Sequence, residues 1–274
     1  MNKLEYLQRA TGYILNRFVL ARKYLTAHSR KYGVKMKFKT QDGGGRMIYK
    51  KGIYEEETSD FLIKNFEFES NDIILDVGAN IGWYSVLLEK NTPGNVFIYA
   101  FEPDPDNFEC LFYNIQKNDC ENVFPVQKGV SDKTERKTLF LYKNSNTGRH
   151  SLLNINTDSA IEVETVALDD FIDKEGLNSS KIKLLKMDIE GYEYKAFLGG
   201  KKLLSSVPYI LAEFSPGYMR KGGLDPTEVL RLLRAHQFVP HIIKNQTKVP
   251  VEETTLLNSN ANANILWEKQ YQKR

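Results

Sequence analysis

Cysteine is scarce in this chain of 274 residues, with Cys110 and Cys120 the only two. They are too few for a disulfide framework and form no CxxC pair, so a disulfide-stapled scaffold is excluded and a reduced pair is expected. The four histidines, His28, His150, His236 and His241, show no zinc-ligand spacing. No run of 18 or more apolar residues occurs, and the N-terminus has no uninterrupted apolar stretch of signal-peptide length. Neither a spanning helix nor a secretory signal is expected, and the protein reads as cytoplasmic. No internal repeat is found. What is present is a hydrophobic fraction of 41%, enough at this length for one large core and a small extension.

The net charge of +3 conceals an asymmetry. Residues 1–39 hold ten Lys or Arg against one acid, Glu5, a balance of +9 that leaves the rest of the chain at −6. Within this arm Leu4, Leu7, Thr11, Ile14, Leu15, Phe18, Ala21 and Leu25 recur at helical spacing, which predicts an amphipathic helix up to about Ala27. Its apolar stripe needs a cover: its own domain, a second copy in a homodimer, or an anionic membrane surface met peripherally. Nucleic acid is not expected, because no recognition motif accompanies the charge. Val34–Tyr49, broken by Gly43-Gly44-Gly45, reads as a hairpin. Residues 1–50 are thus expected to form a basic extension and 51–274 the main domain.

The stretch Ile73–Ser85, IILDVGANIGWYS, organises that domain. An apolar run ends in Asp76, turns through Gly78-Ala79-Asn80-Ile81-Gly82 and enters a helical pattern, the layout of a buried strand, tight turn and helix start. Glycines there let backbone N–H groups approach a ligand, and the helix N-terminus favours negative charge. A dinucleotide fingerprint would need G-x-G-x-x-G, whose central glycine is missing. A second strand, in VFIYAFEPDP, ends in Glu102, 24 residues after Gly78. That is near the distance of about 20 residues at which an acid takes ribose hydroxyls in nucleotide-binding α/β folds.

Together DVGANIG, FEPDPDNFECLFYNI, the ALDDF run at Ala167–Phe171 and KMDIEGYE at Lys186–Glu193 resemble, in order, the motifs of the FkbM family of S-adenosylmethionine-dependent methyltransferases. The resemblance runs from about Lys50 to about Lys244. It implies a class I, Rossmann-like fold: α/β, doubly wound, with a mostly parallel seven-stranded sheet. It also implies S-adenosylmethionine as cofactor and a hydroxyl of a sugar, glycolipid or natural product as acceptor. Asp76, Gly78, Ala79, Asn80 and Gly82 would meet the methionine part and Glu102 the ribose diol, with Pro103 also a cofactor contact; by position at the end of the third expected strand, Gly129 and Val130 either line the adenine pocket or form a plain turn.

Other segments follow from pattern. Helices are expected from about Glu55 to Phe66, after Asp104-Pro105, from Asp169, from Gly191 to Ser206 and after Asp225-Pro226. Strands are expected at Asn122–Val130, Ile182–Asp188, Tyr209–Phe214, Phe238–Ile243 and Ala263–Trp267, so the sheet should be mostly parallel. TLFLY and IEVETV flank a loop over residues 143–159, rich in Asn, Ser, Thr and Gly, of the kind that serves as a lid. His150 lies in it, in the segment GRHSL, and has the chemistry of a base.

Asp188 and Glu190, two apart, would share a face if the strand continued, and either can accept a proton from an acceptor hydroxyl. Glu190 has a structural alternative, capping backbone N–H groups. Asp188 and Glu213 end adjacent strands and can offer oxygens to Mg²⁺. Metal-dependent catechol-type methyltransferases carry an Asp-Asn pair near the position of Glu213-Phe214, so no metal is expected. A nicotinamide-dependent oxidoreductase and a docking module built on the basic arm are the alternatives.

Overall fold

Strand β3 (Ile73–Val77) is buried along its whole length, as a strand covered on both faces must be. In the computed structural model, which describes residues 3–92, 95–142, 150–154, 157, 159–259 and 262–270, it lies centrally in the main sheet. A hairpin of β1 (Tyr24–Ser29) and β2 (Val34–Lys39) precedes it. β4 (Phe97–Phe101) and β5 (Val123–Val126) follow on one side, and β9 (Ile182–Met187) and β10 (Tyr209–Phe214) on the other, all parallel. Between them β6 (Gly129–Val130), β7 (Arg136–Phe140) and β8 (Ala160–Val166) form a separate three-stranded sheet. β11 (Phe238–Lys244), β12 (Thr247–Pro250) and β13 (Ala263–Lys269) complete the main sheet by antiparallel pairing, in the order β12-β11-β13-β10-β9-β3-β4-β5.

Side-chain alternation divides the core in two. Ile74, Leu184, Leu211 and Leu266 face one layer, and Ile73, Leu75, Leu185, Ile210 and Trp267 the other. The first layer includes Phe38 and Ile48 from residues 1–50, so the hairpin and the Gly43–Lys51 helix share a core with the sheet. The second is built on the helices Leu168–Glu175, Glu193–Leu198, Lys201–Ser206 and Pro226–Ala235. Strand order reverses between β3 and β9, and in open α/β sheets the carboxyl ends at such a point border the ligand crevice.

Several expectations need correction. The sheet has eight strands, not seven. β12 returns on β11 through Asn245-Gln246, both with positive φ, as a two-residue primed turn requires, but without the usual glycine signal. The N-terminal helix Lys3–Ile14 runs into a π-helical turn, Leu15–Val19, and stops well short of Ala27. Residues 24–29 are instead strand, alternating outward and inward. The triple glycine does not turn a hairpin: Asp42 caps a helix there, accepting from the Gly45 N–H, and Gly45 packs so closely on Phe38 that no side chain fits. The third strand ends at Val126, and Gly129-Val130 pairs with β8. The expected Gly191–Ser206 helix is two, separated at Gly199, where a Cβ would lie 2.1 Å from the Ser131 carbonyl oxygen.

Candidate active site

The carboxyl ends of β3 and β9 touch. Gly78 has φ +75°, and a Cβ there would lie 1.9 Å from the Asp188 carbonyl oxygen, so only glycine lets the two backbones approach. The N–H groups of Gly78 and Ala79 donate to the Phe101 carbonyl at 3.0 and 2.9 Å, fixing the turn to the end of β4. One residue on is Glu102. Its Oε2 accepts the Asn80 N–H at 2.8 Å and its Oε1 the Asp104 N–H at 2.9 Å. Burial pushes the Glu102 carboxyl up to about 8, and the two N–H groups only partly offset that.

Beneath the turn, register places Lys186 beside Asp76. Lys186 Nζ is 3.3 Å from Asp76 Oδ1 and donates to the Gly78 carbonyl at 3.3 Å, while Ser85 Oγ donates to Asp76 Oδ2 at 2.6 Å. Burial opposes charge on Lys186, but Asp76, Asp188 and Glu55 overcome it and hold the ammonium above its ordinary pKa. Glu55 itself accepts from the Tyr84 hydroxyl and, at 2.8 Å, from Asn264 Nδ2.

A cavity of about 700 Å³ opens above this pair, with Tyr54, Trp83, Tyr84 and Tyr218 on its walls. Its acids are Glu55, Asp188, Glu190 and Glu213. The last three bring ligand oxygens within 4.8 Å of one another, and among the described residues they are the group able to hold a metal ion. Burial raises the Asp188 pKa; Lys186 pulls it down, and Glu55 and Asp76 push it further up. Burial also lifts Glu213 to about 8, assisted by Asp188 and Glu193 and opposed by Ser215, whose hydroxyl donates to it at 2.8 Å. Glu190 has φ +55° beyond the strand end, so the shared strand face expected for Asp188 and Glu190 does not exist. The N–H groups of Ile189 and Gly191 are taken by Glu193 Oε1, each at 3.2 Å, a role the sequence had offered to Glu190.

A second, narrow cavity of about 40 Å³ is lined by Glu102, Pro103, Gly129, Val130 and His150, and shares Gly78, Asn80 and Asp188 with the first. Ala79 lies on the larger cavity. Two expected contacts are on neither wall. Asp76, 1% exposed, lies under the turn, and Gly82 starts the Trp83–Asn91 helix against Leu111. His150 is not exposed loop. Its Nδ1 accepts the Tyr142 N–H at 3.1 Å and its Nε2 is 4.0 Å from Asp104 Oδ2, which sets it beside Glu102 rather than with Glu190 and Glu213. Its neighbours Gly148 and Arg149, with most of the expected lid, lie outside the described residues.

A methyltransferase FkbM domain matches residues 76–240, more than half of the chain. The chain belongs to the FkbM methyltransferase family. With that, the nicotinamide-dependent alternative falls. The hexuronic acid methyltransferase AglP of Haloferax volcanii is 29% identical over 178 residues, 65% of this chain and 68% of that protein. The 2-O-methyltransferase NoeI of Sinorhizobium fredii is 28% identical over 182 residues, 61% of this chain and 73% of that protein. The 31-O-demethyl-FK506 methyltransferase FkbM of Streptomyces tacrolimicus is 27% identical over 217 residues, 68% of this chain and 80% of that protein.

Within this FkbM fold, sequence reasoning missed Lys186, Glu193 and Asp42. Lys186 had a signal: a lysine inside the apolar run IKLLKM needs a buried partner. Asp42, fully buried, accepts at 3.4 Å from Asn80 Nδ2 and so connects the turn to the Gly43–Lys51 helix, a long-range contact with no local signature.

Proposed function

We propose that this protein transfers a methyl group from S-adenosylmethionine to a hydroxyl of a sugar, glycolipid or natural product. The observation that carries the reading is the junction of two cavities at Gly78 and Asp188, one beside the buried Glu102 and the other holding three clustered carboxylates. When bound, S-adenosylmethionine supplies a methyl group on a sulfonium that an acceptor oxygen displaces. The residue types fit that group, and the slot of about 40 Å³ beside Glu102 has to widen to admit the nucleoside. The glycine at position 78 lets β3 and β9 end side by side, so that both cavities meet at the turn, Glu102 stands where a ribose diol is gripped, and Pro103, Gly129 and Val130 line the adjoining slot. Carboxylates on the larger cavity suit a cationic sulfur.

Asp188 borders both cavities, so we assign it the acceptor's proton, with Glu190 and Glu213 holding neighbouring hydroxyls. Burial and the nearby Glu55 and Asp76 raise its affinity for a proton, the direction a general base needs. Tyr54 and Tyr218 put aromatic side chains on the cavity wall, which suits an acceptor of sugar type, in keeping with the hexuronic acid and 2-O-methyl activities in the relatives' names.

The test is calorimetry of the purified chain with S-adenosylmethionine and its demethylated product. Measurable heat with both is expected; no heat with either would end the proposal. Mass spectrometry of polysaccharide, lipid and small-molecule extracts from cells with and without the gene would then identify the acceptor by the mass of one methylene.

A further inference from the structure

Large apolar side chains left exposed are concentrated in one place. Of fourteen among the described residues, eight fall within the first 20 positions, and the other six are scattered from Met47 to Val249. Leu4, Leu7, Ile14 and Leu15 share one side of the Lys3–Ile14 helix and its continuation, 47–65% exposed, and Phe18 and Val19 extend the ridge at 67% and 69%. The opposite side carries Tyr13, buried, whose hydroxyl donates to the Thr40 carbonyl and whose ring lies 6.1 Å from that of Tyr49. The helix is therefore fastened by its back and presents its apolar side outward, so the first expected cover, its own domain, is ruled out.

Charge decides between the remaining covers. Residues 3–22 hold Lys3, Arg9, Arg17 and Arg22 against Glu5 alone; Arg9 pairs with Glu5, and Lys31, Lys37 and Lys39 further on pair with acids of the body, whereas Arg17 and Arg22, at the end of the ridge, form no ion pair among the described residues. Joining two copies along this ridge would bring the unpaired Arg17 and Arg22 of both copies together. An anionic surface instead complements the arm and repels the acidic body, which also sets the orientation. No described helix is long and apolar enough to cross a membrane, so the helix would lie in the interface plane with Leu, Phe and Val inserted and Arg at the headgroups.

We propose that residues 3–22 dock the protein onto the surface of an anionic lipid bilayer. The docking helix packs on the Gly43–Lys51 helix, which supplies Gly44, Arg46 and Met47 to the wall of the larger cavity. The acceptor cavity is therefore one helix away from the lipid surface.

The experiment is co-sedimentation of the full chain with phosphatidylcholine vesicles, with and without phosphatidylserine, across a salt series. Binding should require phosphatidylserine and weaken with salt. The double variant Leu7→Glu/Phe18→Glu should abolish it, and Arg17→Glu/Arg22→Glu should lower partitioning roughly thirtyfold or more, since each basic residue near such a surface contributes several-fold. All four side chains are outside the two cavities of the candidate site, so S-adenosylmethionine calorimetry on the same variants checks that they remain folded. Absence of binding at low salt, or binding that survives Leu7→Glu/Phe18→Glu, overturns the proposal. So does a wild-type dimer in sedimentation velocity that Phe18→Glu converts to monomer, which would give the ridge to a second copy.

Discussion

Lys186 and Asp76 face each other across neighbouring parallel strands, Nζ 3.3 Å from Oδ1, with exposures of 5% and 1%. Lys186 also holds the Gly78 carbonyl, so the pair supports the turn from below. Removing one member leaves a buried charge unmatched. Lys186→Met should lower unfolding free energy by about 3–5 kcal/mol, read as a fall in the urea midpoint, and adding Asp76→Asn should recover part of the loss.

Gly78→Ala is expected to be more damaging than its size suggests. The added methyl would sit 1.9 Å from the Asp188 carbonyl oxygen, at a φ that L-residues avoid. A loss on the order of 3 kcal/mol follows from overpacking and left-handed strain together, measurable by thermal unfolding. Loss of cofactor heat should accompany it.

Glu102→Ala removes the acceptor for the Asn80 and Asp104 N–H groups and, on the proposed reading, for a ribose diol. Cofactor binding should weaken by about 1–3 kcal/mol in calorimetry. Glu102→Gln keeps one carbonyl acceptor and should fall between wild type and Glu102→Ala.

Three buried carboxyls, Glu102, Glu213 and Glu193, are lifted by burial to about 8, 8 and 7. The folded protein holds these protons well above the glutamate value of about 4.3 in an unfolded chain. Their contribution to stability is therefore fully present below that unfolded value and is lost as pH rises through 7 to 8. The melting temperature should decline from pH 6 to pH 8.5, and Glu213→Gln should flatten the decline.

Asp188→Asn should lower kcat by about 10²-fold or more, as loss of a general base does, while changing cofactor affinity little. Unchanged turnover would remove Asp188 from the proton-accepting role.

Much of the sheet was legible because buried parallel strands read as short apolar runs: β10 agrees residue for residue, and the expected fourth strand overran β9 only by Asp188. What was not legible depends on partners distant in the chain. Leu25 fits a helical i+4 series and a strand equally well, and only pairing with Phe38 makes it strand. Glu55 marks the expected start of a helix, but its partners Tyr84 and Asn264, 29 and 209 residues away, leave no local trace. DIEG showed its turn but not that Glu193 closes it, because the choice between Glu190 and Glu193 depends on the backbone angle at residue 190.

Among the described residues no strand lies beside the outward side of β2. Asn118 takes the N–H and carbonyl of Lys35, at 2.8 and 2.7 Å, and Asn114 those of Lys37, at 2.6 and 2.9 Å. Two amides one helical turn apart thus imitate a third strand. Foreign β-segments find no free ladder to extend there, so a border that would invite self-association is sealed from within. Asn114 Nδ2 also reaches the Ile81 carbonyl at 2.8 Å, so the same seal ties the hairpin to the glycine turn.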